Sequence, residues 1–173
     1  VEHEGQSHAL TLLVGAQEGY RNLTRLISRG WLEGQQLGRP VLARAWVEEF
    51  AGGLIALSGG REGDIGQALL GGRAEHASQL LDYWMALFPE RFYLEVSRTG
   101  RPREEDYLHL AVALAGRHGC PVVATNDVRF LDRSDYEAHE ARVCIHDGTL
   151  LGDAARARRY SEQQYLRTPA DMA

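Results

Sequence analysis

Residues Cys120–Asp132 read CPVVATNDVRFLD, and this stretch decides the fold. A short β-branched run, Val122–Val123, is approached through Pro121 and followed by the polar cluster Thr125–Asn126–Asp127. A buried strand that delivers polar side chains at its C-terminal end is how α/β barrels and open α/β sheets build ligand sites. Two positions beyond Asp127 stands Arg129. Histidine there would give an Asp-x-His pair, whose carboxylate and imidazole project to the same side of an extended segment and can share a metal. Arginine cannot serve, because its guanidinium stays protonated and has no lone pair to donate. The stretch therefore reads as a metal site switched off, with Arg129 expected within salt-bridge reach of Asp127.

Working outward, the strongest helical pattern precedes this strand. Arg103–His118 is opened by Pro102, carries Glu104, Glu105 and Asp106 in its first turn, and ends in Arg117–His118. That charge order suits a helix dipole at both ends. Before it, Arg91–Ser97 reads as a strand ending at Arg98–Thr99–Gly100. Asp64–Leu70 and Glu75–Phe88 read as helices parted by Gly71–Gly72, the longer one turning Leu80, Leu81, Trp84, Leu87 and Phe88 toward a core. Leu54–Leu57 is a short buried strand, and Ala43–Phe50 a short amphipathic helix. Glu18–Arg29 places Tyr20, Leu23, Leu26 and Ile27 on one helical face, with Gly30 as the expected C-cap and Trp31–Gly38 as a loop. Ala9–Gly15 reads as a buried strand. On the C-terminal side, Tyr136–Ile145 is helical, and Ser161–Gln164 has the capping-box pattern of a short helix. Strands alternating with helices predict an α/β fold with a parallel sheet, open or closed as a barrel. Four strands are too few to close one.

The 173 residues suit one domain with a proper core. Apolar residues make up 44% and charged residues 25%, the range of soluble globular chains. No apolar run approaches a membrane span, and no signal peptide is visible. The chain opens at Val1 rather than methionine, which reads as a piece of a longer protein. All 19 basic residues are arginine, a compositional bias rather than a function. The net charge of −5 argues against a duplex-DNA clamp, since affinity there comes from neutralising phosphates. Cys120 and Cys144, without framework spacing, read as reduced thiols of a cytosolic protein.

The remaining candidates are weaker. Ser58–Gly60 and Gly71–Gly72 fit neither a P-loop nor a dinucleotide fingerprint and read as turns. His76 and His118, near helix ends, are expected to be solvated, and His109 to be a packed helix residue. His139, Glu140, His146 and Asp147 follow the key strand, but their spacing matches no standard metal motif. Arg156–Arg167, RARRYSEQQYLR, mixes basic and aromatic residues. It could meet a nucleic-acid backbone or an acidic partner, and a solvated surface is the favoured reading. No Ser-His-Asp or Cys-His arrangement follows from spacing.

Three stretches together carry a specific resemblance: EGYRNLTRLIS at Glu18–Ser28, RTGRPREEDYLH at Arg98–His109, and PVVATNDVRFLDRSDYEAHEARVCIHDG at Pro121–Gly148. They resemble the polymerase-and-histidinol-phosphatase (PHP) domain of bacterial DNA polymerase III alpha subunits, and RRYSEQQYLR at Arg158–Arg167 continues the likeness. The resemblance implies a distorted seven-stranded (β/α) barrel, here incomplete. Residues 1–173 would form the C-terminal two-thirds of the domain, with polymerase palm, thumb and fingers outside the chain. Active members hold metal ions at the strand C-termini through His, Asp and Glu and hydrolyse phosphoesters. By the resemblance Asp127 matches a ligand aspartate, while Arg129, Thr99 and Ala9 stand where active members have histidine. His8 is one residue off, and along a strand would face away. The domain is thus expected to hold no catalytic residue, metal or cofactor of its own, magnesium serving the parent polymerase.

Two functions follow from the resemblance. The favoured one is a non-catalytic domain of a cytoplasmic replicative polymerase, a nucleotidyltransferase. It would support the polymerase and dock a proofreading exonuclease subunit, meeting other replisome subunits and DNA mainly through the rest of the protein. The alternative is a metal-dependent phosphoesterase or 3′–5′ proofreading nuclease that keeps a residual metal on Asp127.

Overall fold

The computed structural model describes residues 1–3, 5–153 and 155–172. A two-residue hairpin, β1 (Glu2–His3) with β2 (Gln6–Ser7), precedes β3 (Thr11–Val14) and α1 (Gln17–Leu32). A second small hairpin, β4 (Gln35–Gln36) with β5 (Arg39–Pro40), leads into α2 (Arg44–Glu49) and β6 (Leu54–Leu57). Then come α3 (Asp64–Leu70), α4 (Ala74–Leu87), β7 (Phe92–Ser97), α5 (Glu104–His118), β8 (Val122–Thr125), α6 (Tyr136–Asp147) and α7 (Pro169–Met172). The four expected strands are present as one sheet in the order β3-β6-β7-β8.

The sheet is not wholly parallel as expected. β6, β7 and β8 run parallel, but β3 pairs antiparallel with β6, Thr11 opposite Leu57 and Val14 opposite Leu54. The connection explains this. α1 carries the chain away from the end of β3, and residues 33–51 carry it back, so β6 starts where β3 stopped. The amides of Gly15 and Ala16 both donate to the carbonyl of Gly53 there. One traverse would have given a parallel crossover; two give an antiparallel pair.

The core lies between the sheet and α3, α4 and α5. Leu54, Ala56, Leu94, Ile65, Leu81 and Leu114 are buried completely. Trp84 stacks on Phe92 at 6.3 Å and 6° between planes, and on Phe88 at 6.3 Å. On β7 the side chains alternate buried and half-buried, as a strand with one covered face requires.

Several local expectations are corrected. β3 is not buried: Leu13 and Val14 remain about half exposed, because β3 is an edge strand. On α1 the buried line runs through Gly19, Leu26 and Gly30, so Tyr20 and Ile27 flank it and stay exposed. Gly30 lies inside that helix rather than capping it. A Cβ there would stand 2.5 Å from Leu42 Cδ2, the end of a side chain that would have to turn aside. The expected loop after it is a hairpin whose turn residues, Leu37 and Gly38, both have positive φ, the geometry that matches strand twist. His109 is exposed on the outer face of α5 rather than packed. No helix forms at Ser161–Gln164. No helix among the described residues is long and apolar enough to cross a membrane.

Candidate functional site

β7 and β8 are parallel neighbours, with Ser97 opposite Thr125, so the residues that follow both strands emerge at one rim. There the chain turns sharply. Asp127 adopts φ +42, a left-handed conformation rather than the extended one assumed from sequence. Its carboxylate is nevertheless reached by Arg129, whose Nη2 lies 2.7 Å from Oδ1. The expected pair is therefore present, made by the length of the arginine side chain.

Sequence reading missed the second cation. Arg101, in the turn between β7 and α5, donates from Nη1 to Asp127 Oδ2 at 3.0 Å and from Nε to Thr99 Oγ1 at 3.0 Å. It also faces Glu104, which is buried at the start of α5. Glu104 accepts from the Thr99 amide at 2.6 Å, the Thr99 hydroxyl at 2.9 Å, the Arg101 amide at 3.2 Å and the Ser97 hydroxyl at 3.1 Å. Burial alone would raise its pKa. The Thr99 and Arg101 donors and the Arg101 charge outweigh that and hold it below the ordinary carboxylate value. Thr99 is itself fully buried.

Ser161–Tyr165 of the C-terminal stretch closes this rim and so departs from the solvated reading, while Arg158 and Arg159 are exposed as expected. Gln164 is fully buried, and its amide Nε2 donates to Asp127 Oδ2 at 2.9 Å and to the Asp127 carbonyl at 3.2 Å. Asn126 Nδ2 holds the carbonyls of Gln163 and Tyr165, and the Arg129 amide donates to the carbonyl of Gln164. Ser161 donates its hydroxyl to the carbonyl of Thr99. The Ser161–Gln164 capping pattern thus serves a strap: the Ser161 amide bonds Gln164 Oε1, while the rest of Gln164 plugs the site. The guanidinium of Arg129 lies 5.3 Å over the ring of Tyr160.

The other predicted groups are dispersed. Ala9 lies just before β3, beside Gly59 on the same rim but across the sheet from Asp127. Glu140 is buried against Arg156 at 2.6 Å, and Asp147 pairs with Arg159. His139 packs between Phe130 and Tyr160, and burial lowers its pKa. Among the described residues no three His, Cys, Asp or Glu side chains are grouped to hold a metal. His118 is not solvated: it lies 2.5 Å from the Ser78 hydroxyl and 2.7 Å from Asp82. That order of groups suits nucleophilic catalysis. However, Ser78 lies in the second turn of α4, where backbone amides are committed to the helix and leave no oxyanion donors.

The strand-end site is a closed polar plug. Asp127 already accepts from Arg101, Arg129 and Gln164, so a metal would have to displace three donors and approach two guanidinium charges. The residues present do not fit a metal ion at this position. Nothing in the sequence pointed to Arg101. Glu104 was visible only as a favourable first-turn charge.

Residues 1–99 match the family model described as PHP domain. The chain is 57% identical over 172 residues to a DNA polymerase III subunit alpha of Pseudomonas aeruginosa, covering 99% of this chain and 15% of that protein. Against the subunit of that name from Escherichia coli K12 the identity is 51% over 163 residues, covering 94% and 14%. Against that of Haemophilus influenzae it is 45% over 163 residues, with the same coverage. The chain spans about one seventh of the length of these curated relatives.

Proposed function

The chain belongs to the PHP-domain family, and on that premise we propose that it is the non-catalytic PHP segment of a replicative DNA polymerase alpha subunit. The replicative assignment is supported by identity of 45% to 57% over nearly the whole chain to proteins of that name. Nucleotidyl transfer, its magnesium and most contact with DNA then belong to polymerase domains beyond these residues, in the cytoplasm. The four-stranded sheet is part of a distorted seven-stranded barrel, of which residues 1–173 form the later two-thirds. The half-exposed apolar residues at both sheet edges, Leu13 and Val14 on β3 and Val122 on β8, support that reading.

One observation carries the non-catalytic part: the Asp127 carboxylate is saturated by Arg101, Arg129 and Gln164. Phosphodiester hydrolysis by this domain would need metals to activate water and to stabilise the leaving oxygen. The alternative, a phosphoesterase or proofreading nuclease, requires that carboxylate to exchange all three donors for a cation. A replicase without its own nuclease centre needs an outside one, so the domain docks a proofreading exonuclease subunit through its surface rather than through the plugged rim. Restoring Arg129→His and Thr99→His alone creates no activity, because Ala9 also lacks a ligand and Arg101 still occupies Asp127.

The test is a pull-down of purified exonuclease subunit by the complete alpha subunit, beside a nuclease assay on mispaired primer DNA. Capture of the exonuclease, with no metal-dependent cleavage by the alpha subunit alone, is the expected result. Metal-dependent cleavage without capture would falsify the scaffold reading.

A further inference from the structure

The apolar core stops at Cys120: no described residue after it belongs to the cluster that packs the sheet against α3, α4 and α5. Beyond that point β8 is held by its ladder to β7, and α6 buries just Glu140 and Cys144. The segment Arg156–Arg167, which carries the strap over the rim, buries one side chain completely, the polar Gln164, and leaves its leucine, Leu166, 58% exposed. Its backbone meets the rim at a single bridge, Phe130 with Tyr165. There the Arg129 amide donates to the Gln164 carbonyl at 2.8 Å and the Leu166 amide to the Phe130 carbonyl at 3.0 Å.

Side chains supply the rest of the attachment, and they are polar. On the α6 side, Arg156 Nη1 lies 2.6 Å from Glu140 Oε2, with the two side chains 7% and 4% exposed. Two turns later on the same helix Asp147 pairs with Arg159, while Tyr136 donates its hydroxyl to the Tyr160 carbonyl. On the rim side, Asn126, Asp127 and Thr99 hold residues 161–165. Closure also leaves polar atoms unsatisfied. Glu140 Oε1, His139 Nδ1 and Arg167 Nε are buried with no hydrogen-bond partner among the described residues, and all three residues belong to this segment or pack against it. A buried polar atom without a partner carries a desolvation penalty that water removes when the atom is uncovered. A segment with little apolar burial and such atoms beneath it belongs to the low-stability end of a fold.

We propose that Arg156–Arg167 is a lid, which lifts from the rim as a unit while the four-stranded sheet stays folded. The buried Arg156–Glu140 pair is its latch. Exposure of Asp127 is then set by that latch on α6 and not by the stability of the whole domain. Opening removes Gln164 from the Asp127 carboxylate and frees the Asn126 amide, leaving Arg101 and Arg129 in place.

The experiment is hydrogen exchange on the intact alpha subunit. It compares the Arg129 and Leu166 amides, whose bonds cross between rim and lid, with the Leu94 amide, which bonds the Pro121 carbonyl within the sheet. The first two should share one protection factor, at least about tenfold below that of Leu94. Glu140→Gln leaves the Arg156 charge without its partner and should lower both together by about tenfold or more, with Leu94 unchanged to show that the sheet is folded. Arg159→Gln removes a pair whose arginine is 54% exposed, and should lower both by only about two- to fivefold. Glu105→Gln, which breaks an exposed pair with Arg98, should change neither. Protection of Arg129 and Leu166 within tenfold of Leu94 overturns the lid. So does independent exchange of the two, no response to Glu140→Gln, or a response that reaches Leu94 equally.

Discussion

Arg101→Ala should destabilise the domain more than Arg129→Ala, although only Arg129 stands out in the sequence. Leaving a partly buried carboxylate unpaired costs about 1–3 kcal/mol. In the structure the Arg129 side chain is 42% exposed and Asp127 is 30% exposed, and Asp127 keeps Arg101 and Gln164 when Arg129 is removed. Solvent screening then reduces the loss to roughly 0–1 kcal/mol. The Arg101 side chain is only 13% exposed and faces Glu104 at 3% as well as Asp127. Removing one partner of a buried pair costs about 3–5 kcal/mol. Glu104 retains the Thr99 and Ser97 donors, so about 2–4 kcal/mol is expected here. Native-state hydrogen exchange of β7 and β8 amides in the intact subunit reads these values locally. A double-mutant cycle with Glu104→Gln should give a coupling of about 1–3 kcal/mol. An Arg129→Ala loss equal to or above that of Arg101→Ala, or no coupling in the cycle, refutes the reasoning.

Glu104, with its pKa held below 4.5, stabilises the fold above that pH, and the contribution is lost as pH falls through the lower folded value. Protection factors of β7 amides should therefore fall below about pH 4.5 in the native chain and fall less in Glu104→Gln; parallel profiles would contradict this. Gly19→Ala should destabilise by about 1–3 kcal/mol or more, because the new Cβ would meet the Gly53 carbonyl oxygen at 2.0 Å. Gly116→Ala, on α5 with nothing within 4 Å, should instead stabilise by about 0.5–1 kcal/mol, so thermal melts of the two variants should move in opposite directions. Elemental analysis of protein purified without chelator should find no stoichiometric zinc, manganese or iron in the PHP segment, and two or three tightly held ions would sink the plugged-site reading.

The sequence by itself determined the four strands of the main sheet and the helices between them, but not the two small hairpins or the strap at Ser161–Gln164. Apolar runs at Leu54–Leu57 and Val122–Thr125 and the alternation in Phe92–Ser97 carry their strands, and the charge order of α5 marks its ends. It also determined that Arg129 meets Asp127, since two residues so close in the chain need little tertiary help. What sequence could not show are interactions between distant segments. Arg101 and Asp127 are 26 residues apart, Gln164 and Asp127 37, and Ser161 and Thr99 62. The direction of β3 likewise depended on residues 33–51 making a second traverse, and the exposure of Tyr20 and Ile27 on which side of α1 met the sheet. Periodicity records the side chain each residue offers to its own helix or strand. Which charge neutralises a buried carboxylate is decided only when separate segments converge, because the ion pair forms through space and leaves no spacing in the chain to be read.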